Sequence, residues 1–367
     1  MFHKLKISSV AKNTPDSIVV SFEIPETLQQ AFQFKPGQNL TLKTLLQTPA
    51  GVEDVRRSYS ICSSPGQPLS VGIKRADNGL FSNWANESLS EGSLMEVLSP
   101  AGSFGKYSVH SAKRNYLAIA AGSGITPIIS LITHKLKDEP DCNISLIYGN
   151  RSKSSIMFRD AICDLKNQYM HRFVVHHILS REIPDAEVYA GRIDAAKCAA
   201  FSKQLIDFER MDEIYLCGPA AMIDHLKEWL ISDQKIESSR IHFELFLTPE
   251  AQNSPQTLGS KFIESSLLSS GQSSSIDVRI RIDGFNHDFE MQPDAESILE
   301  AGIKNGIDLP FSCKGGVCAT CRAKLVEGEV EMELNYALES EEVNAGYILT
   351  CQSHPKTDRI FVDFDLK

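Results

Sequence analysis

The sequence predicts a multidomain chain: an antiparallel β-barrel, then a doubly wound α/β layer on a parallel sheet, then a small α+β module. Three observations predict it. Short strand-like runs punctuated by turn signals fill residues 1–108, and strands alternate with helical stretches over 109–247. A serine-, glycine- and proline-bearing stretch at 248–275 then precedes a cysteine-rich, acidic end at 276–367.

The barrel reading rests on the runs Ser17–Phe22, Asn39–Lys43, Arg57–Ile61, Leu69–Lys74 and Leu94–Val97. Lys35-Pro36-Gly37, Ser64-Pro65-Gly66, Asp77-Asn78-Gly79 and Pro100-Ala101-Gly102 separate them, and evenly spaced strands with such punctuation suggest a barrel. Buried-type strands follow at Tyr116–Ala121, Ile144–Tyr148, Phe173–Ile178 and Ile214–Cys217, with helices expected at Ser155–Lys166 and Pro219–Leu230 and a closing strand at Ile241–Phe246. The stretch 248–275 carries nine serines with Pro249, Pro255, Gly259 and Gly271, and reads as a linker. As a flexible coil its 28 residues would average about 30 Å end to end, less if a short helix forms at Lys261–Leu268.

No apolar run reaches the roughly 18 residues of a membrane span. The nearest, Tyr116–Ile132, is broken by Gly122-Ser123-Gly124 and Pro127. Met1-Phe2-His3-Lys4 lacks the features of a secretory signal, so a cytoplasmic protein is expected, and in that compartment the nine cysteines are not expected to form structural disulfides. Residues 276–367 hold 18 Asp and Glu against 9 Lys and Arg, a balance of −9 within a chain total of −10. So acidic a module would repel nucleic-acid phosphates and suits docking on a basic patch.

Cys313, Cys318, Cys321 and Cys351 give the spacing C-x4-C-x2-C-x29-C, the plant-type pattern for a [2Fe–2S] cluster. Three thiolates must converge from one tight loop, which calls for Gly315, Gly316 and the small Ala319 and Thr320, with a fourth ligand from a distant strand. A structural zinc site competes. Zinc sites usually pair two short knuckles, whereas Cys351 stands alone and His354 is a poor substitute.

Gly122-Ser123-Gly124-Ile125-Thr126-Pro127 follows a strand and opens a helix, whose N-terminus suits a nucleotide pyrophosphate; an ordinary strand-to-helix turn is the competing reading. Arg151 with Lys153, and Ser180 with Arg181, follow later strands, where an arginine could read a 2′-phosphate or simply form surface ion pairs. Cys217-Gly218-Pro219 could line a nicotinamide pocket, or Cys217 is only a buried thiol. On the barrel strand Arg57-Ser58-Tyr59-Ser60, alternation puts Arg57 and Tyr59 on one face and Ser58 and Ser60 on the other, suited to a flavin phosphate, its ring and its N5. Asp77-Asn78-Gly79 reads as a hairpin turn, and Ser82 as an N-cap that aims a helix over Asn83–Leu89 at a phosphate.

Taken in order, these motifs resemble the ferredoxin–NADP reductase superfamily with a plant-type ferredoxin of β-grasp type fused at the C-terminus. Four stretches narrow the resemblance to the reductase subunits of phenylacetyl-CoA epoxidases: Phe34-Lys35-Pro36-Gly37-Gln38, Ala118 to Pro127, Leu146-Ile147-Tyr148-Gly149-Asn150-Arg151 and Cys313 to Cys321. The resemblance implies an FAD site at Arg57, Ser58, Tyr59, Ser60, Ile73, Lys74, Gly79 and Phe81, with Ser82 on the pyrophosphate and FMN the lesser alternative. It places Thr126 and Cys217 at the nicotinamide, Glu244 and Phe246 near the flavin ring, and Ser180-Arg181 on the 2′-phosphate of NADPH in preference to NADH. Tyr59, Ser60, Cys217 and Glu244 are the implied catalytic group. Gly122, Gly124, Pro127, Arg151 and Gly218 complete the implied nucleotide site. Chloroplast-type relatives end in an aromatic residue over the flavin; here the chain runs on instead into the linker and ferredoxin.

The implied activity takes hydride from NADPH and passes single electrons through flavin and [2Fe–2S] cluster to a di-iron oxygenase partner that epoxidises phenylacetyl-CoA, the linker letting the acidic module visit both. Reductases of ring-hydroxylating or steroid oxygenases, or of hybrid-cluster proteins, share the layout. From a different class, a zinc-stabilised nucleotide-binding scaffold remains as an alternative.

Overall fold

The computed structural model describes residues 1–49, 51–104, 113–246, 275–292 and 296–366. The expected linker, apart from Ser275, and the helix expected within it lie outside the described residues. Two compact units are present. One holds Phe2–Val55 and residues 59–246; the other holds the C-terminal described residues, with which Met1 and Arg56–Ser58 group.

The first unit opens with β1 (His3–Thr14), β2 (Ser17–Glu23), β3 (Asn39–Thr48), β4 (Gly51–Ser60), β5 (Ser70–Lys74), helix α1 (Leu80–Ser88) and β6 (Leu94–Val97). These strands form one sheet in the order β4-β3-β6-β1-β2-β5. An isolated bridge from Ile61 to Val71 joins its two ends, so the sheet curls back on itself. Leu5, Ile7, Val20, Leu40, Leu42, Val71, Ile73 and Val97 fill the interior. Strand β1 escapes the sequence reading although Leu5 and Ile7 alternate with Lys4 and Lys6, because the charged partners mask a strand whose other face meets solvent. Asp77-Asn78-Gly79 is not a hairpin: Asn78 takes a left-handed φ of 57°, and the turn runs from β5 straight into α1. Gly79 holds the N-cap position, so Ser82 stands one turn inside the helix rather than capping it.

The α/β part follows as β7 (Asn115–Ala121), α2 (Ile125–Asp138), β8 (Asn143–Asn150), α3 (Arg159–Gln168), β9 (Phe173–Leu179), α4 (Ala195–Gln204), β10 (Glu213–Pro219), α5 (Ala220–Ser232) and β11 (Ile241–Phe246). All strands are parallel in the order β11-β10-β7-β8-β9. The chain steps outward from β7 to β9, then returns to the other side at β10. Such a reversal opens a crevice at the strand carboxyl ends. Helix α3 begins four residues later than expected. Ser152 and Ser155 close a capped 3₁₀ turn over Lys153–Ser155, and Phe158 at φ 56° resets the chain before Arg159. Barrel and α/β layer pack as one body: Ser130 Oγ donates to the Ser63 carbonyl (2.6 Å) and the Phe158 N–H to Asn13 Oδ1 (3.0 Å).

The second unit contains β12 (Ile276–Ile282), β13 (Phe285–Met291), α6 (Ile298–Lys304), β14 (Arg322–Glu327), β15 (Val330–Met332), α7 (Ser340–Asn344), β16 (Tyr347–Leu349), β17 (Ser353–Pro355) and β18 (Arg359–Asp363). Its main sheet runs β13-β12-β18-β14-β16, with β12 and β18 parallel and the other pairs antiparallel. Ser297 caps α6 through the Glu300 N–H. The helix buries Ile298, Leu299 and Ala301 in a core shared with Val278, Ile280, Leu309, Leu349 and Val362.

Two stability tests follow from this packing. Ile7 is fully buried, and Ile7→Ala should lower the unfolding free energy by about 2–5 kcal/mol in a urea titration. Burial pushes the thiols of Cys62 and Cys198 up to about 12, with Asp194 adding to the second. The unfolded chain, with thiols near 9.0, gives up these protons first. Their contribution is therefore intact below about pH 9 and lost as pH rises toward 12, at up to roughly 1.4 kcal/mol per pH unit for each thiol. The alkaline limb of the stability curve should flatten in Cys198→Ala.

Candidate active site

The crevice between β7 and β10 is built on the glycine loop. Gly122 adopts φ 56° after β7, a 3₁₀ turn carries the chain through Gly124, and α2 starts at Ile125 with Thr126 and Pro127 in its first turn. Gly124 lies against the end of β10, where a Cβ would stand 2.6 Å from the Cys217 carbonyl carbon and 2.9 Å from the Gly218 nitrogen. No side chain fits there. Tyr148, wholly buried on β8, donates its hydroxyl to the Gly122 carbonyl (2.9 Å) and holds the loop from the other side. Thr126 is buried as well, with its hydroxyl donating to the Ser123 carbonyl (3.0 Å).

Parallel register sets Cys217 beside Glu244, Gly218 beside Leu245 and Pro219 beside Phe246. Glu244 Oε1 accepts from the Ser60 hydroxyl at 2.8 Å, across 184 residues of sequence. Burial, and then the Glu244 carboxylate, raise the Cys217 thiol well above the ordinary range. The group is therefore a neutral thiol, a hydroxyl and a carboxylate gathered where β10 and β11 end.

On β4 the neighbours of Ser60 are half-buried. The Tyr59 ring lies 5.7 Å from that of Phe81, and the Arg57 guanidinium donates to the Arg56 carbonyl (2.7 Å). The side chains of Ile73 and Phe81 belong to the barrel core, and Lys74 pairs with Asp16 (3.5 Å). Ser82 Oγ accepts from the Ala76 N–H (3.1 Å) and closes the turn over Gly79.

The two basic spots meet at the ends of β8 and β9. The Ser180 N–H donates to the Asn150 carbonyl (3.0 Å) and the Arg181 N–H to the Arg151 carbonyl (2.8 Å). Glu182, which the sequence reading passed over, accepts from the Lys153 N–H (2.9 Å) and sets a carboxylate beside them.

In the second unit the four cysteines fall into two pairs. Cys313 lies beside Cys318 and lowers its thiol, and Cys321 lies likewise beside Cys351 and lowers its thiol. A binuclear cluster takes two protein sulfurs on each iron, and the two pairs suit that demand. Gly316 at φ 74° sits under the Leu334 carbonyl, where a Cβ would be 2.8 Å away, and Lys314 and Ala319 also take left-handed φ. These bends turn N–H groups inward: that of Gly315 reaches the Cys313 sulfur at 3.3 Å, and that of Gly316 reaches the Cys351 sulfur. Cys351 stands in the turn after β16 rather than on a strand, and His354 pairs with Glu333 (3.4 Å).

Three family models match this chain. Residues 4–107 match the oxidoreductase FAD-binding domain, 118–228 the oxidoreductase NAD-binding domain and 280–356 the 2Fe-2S iron-sulfur cluster binding domain. The chain is 42% identical to a subunit of the 1,2-phenylacetyl-CoA epoxidase of Escherichia coli (strain K12), covering all of this chain and 98% of that one. The chain belongs to the ferredoxin reductase superfamily with a C-terminal [2Fe–2S] domain.

The 3-ketosteroid-9-alpha-monooxygenase ferredoxin reductase component of Rhodococcus rhodochrous is 31% identical over 98% of this chain and 96% of its own length. The fold is that of phthalate dioxygenase reductase (TM-score 0.53, 22% identity, 99% of this chain and 98% of that one). It is also that of the corresponding part of an intact type IV self-sufficient cytochrome P450 monooxygenase (TM-score 0.64, 20% identity, 98% of this chain). The chain spans about two fifths of that larger protein, 41%. As a member of this superfamily the protein is an oxidoreductase with FAD, nicotinamide and [2Fe–2S] domains. Among the described residues no helix is long and apolar enough to cross a membrane.

Because no Cβ fits at position 124, Gly124→Ala should push the loop off β10 and raise the KM for the nicotinamide nucleotide at least tenfold in steady-state assays. Alkylation of the native protein at pH 8 should modify the exposed Cys163 and spare Cys217, as peptide mapping would read.

Proposed function

We propose that the protein is the reductase component of a multicomponent oxygenase of the phenylacetyl-CoA epoxidase kind, drawing on NADPH and serving a di-iron oxygenase partner. The observation that carries the reading is the 42% identity, from end to end, with a component of a 1,2-phenylacetyl-CoA epoxidase. A 3-ketosteroid monooxygenase reductase component, at 31%, supports the second reading, a reductase for another oxygenase.

When bound, FAD accepts the nicotinamide's hydride and the [2Fe–2S] cluster carries one electron at a time. In this reading Arg57 and Ser82, with Gly79, take the flavin phosphates, while Tyr59 and Phe246 flank its ring. Ile73, Lys74 and Phe81 contribute through the backbone and by shaping the wall. The Gly122–Gly124 loop and the α2 N-terminus, with Thr126 and Pro127, receive the nucleotide pyrophosphate. Cys217 and Gly218 offer a small uncharged wall to the nicotinamide, and the raised thiol keeps negative charge away from it. Ser60, held by Glu244, presents its hydroxyl at a fixed angle, and the carboxylate is placed to hold or pass a proton through that hydroxyl. Arg151, Ser180 and Arg181 read the adenosine 2′-phosphate. Cys313, Cys318, Cys321 and Cys351 hold the cluster.

The test is an anaerobic visible spectrum before and after NADPH, followed by assay with purified oxygenase components. Flavin and [2Fe–2S] absorption that bleaches with NADPH, and NADPH-dependent turnover of phenylacetyl-CoA only with the cognate oxygenase, are expected. Bleaching with turnover only on a steroid oxygenase would select the second reading; no bleaching would overturn both. Arg181→Ala should lower kcat/KM for NADPH on the order of tenfold and leave NADH unchanged, since one charge-assisted hydrogen bond is worth about 1.5–3 kcal/mol. An unchanged NADPH/NADH ratio would remove the 2′-phosphate role.

A further inference from the structure

We propose that Gln352 is a positioning residue for the [2Fe–2S] cluster, its buried amide tying the fourth ligand to the loop of the other three and raising the cluster's reduction potential. The inference rests on the [2Fe–2S] reading of the cysteine quartet.

Gln352 follows Cys351 in the turn between β16 and β17 and is 6% exposed. Its Nε2 donates to the Lys314 carbonyl at 2.9 Å and to the Cys351 carbonyl at 3.0 Å, and stands 3.8 Å from the Cys351 sulfur. Lys314 is the residue between Cys313 and Gly315 and takes a left-handed φ of 50°. One side chain thus spans the start of the three-cysteine loop and the ligand that arrives from 29 residues beyond it. The two carbonyls fix which end of the amide faces the sulfur. The Oε1 end has no partner among the described residues.

Its two N–H groups serve the Lys314 and Cys351 carbonyls, which an apolar side chain of the same length would leave bare, so the tie itself asks for a donor. The same nitrogen, the positive end of the amide dipole, stands 3.8 Å from the ligand sulfur. A positive dipole end there disperses sulfur charge, and the reduced cluster carries one more negative charge than the oxidised one, so the amide favours reduction.

Two variants of the full-length holoprotein test this. Gln352→Met keeps length and removes the donor; Gln352→Glu keeps shape and puts a negative acceptor in its place. Cluster potential would be read by EPR-monitored redox titration, and cluster retention by bleaching under a chelator. Gln352→Met should make the equilibrium for electron uptake on the order of tenfold less favourable, about 59 mV for a one-electron couple. Gln352→Glu should move it further the same way, and both should lose cluster several-fold faster. Faster loss with an unmoved potential in either loaded variant would overturn the tuning role and leave only a structural one. Unmoved potential and unmoved loss would overturn the proposal entirely. A wild-type protein without [2Fe–2S] absorption would instead sink the cluster reading, before any variant is made.

Discussion

At Gly124 the first turn after β7 passes so close to the end of β10 that a side chain of any size is excluded. The rest of the nucleotide half depends on that approach. It fixes the α2 N-terminus beside Cys217, and the parallel register of β10 with β11 then carries Glu244 to the same edge. Ser60 reaches that edge from the barrel, so the hydroxyl–carboxylate pair closes only if the two halves of the unit are packed as they are. A single glycine contact thus sets where the loop, the thiol and the acid meet. The Tyr148 hydroxyl on the Gly122 carbonyl makes the loop's position determined from both sides.

A loop held so tightly needs a helix that does not slide, and the far end of α2 supplies the anchor. Lys135 and Glu139 are both buried and paired at 3.2 Å, with the Tyr116 hydroxyl donating to the second carboxylate oxygen (2.6 Å). The Lys135 ammonium also lies 4.0 Å from the Tyr116 ring centroid. Arg172 donates to the carbonyls of Leu136 (2.8 Å) and Glu139 (2.9 Å), satisfying groups that the end of a helix leaves bare. Replacing such a buried pair by apolar residues is often neutral for stability, but removing one partner costs about 3–5 kcal/mol. Its effect is best understood as registration: the helix is pinned where these four side chains coincide, and its N-terminus is pinned with it.

What was legible in the sequence follows the range of each interaction. The cluster loop was legible because its demands are local: three cysteines, Gly316 at a left-handed bend and the small Ala319 at another all lie within nine residues. The parallel layer was legible from runs such as Tyr116–Ala121, whose unbroken apolar character reflects burial on both faces. Strand β1 was not, since only one of its faces is apolar, nor was α4, an alanine-rich helix whose start is marked by Asp194 alone. Ser60 was a candidate from strand alternation, but Glu244 entered through family resemblance and their pairing was not foreseen, for no pattern in one chain joins residues 184 positions apart. Phe81 shows the limit in the other direction. It lies near the expected flavin residues in sequence, yet its ring belongs to the barrel core, because alternation and helix phase turn it inward.

The two chemical sites are built on opposite electrostatic plans. At the end of β10, burial and a neighbouring carboxylate raise the Cys217 thiol, so that side chain stays uncharged. In the cysteine loop the plan reverses: left-handed bends at Lys314, Gly316 and Ala319 turn backbone N–H groups toward sulfur. Thiolates ligating iron carry charge that must be dispersed without water, and backbone donors do this without adding a mobile charge of their own. The acidic surface of the same module, 18 acids against 9 bases, adds a long-range field that disfavours further negative charge. Donors at the sulfurs are therefore the short-range counterweight to the module's acidic charge. Without them the acidic module would be a poorer electron acceptor, and a module with a neutral surface would need fewer.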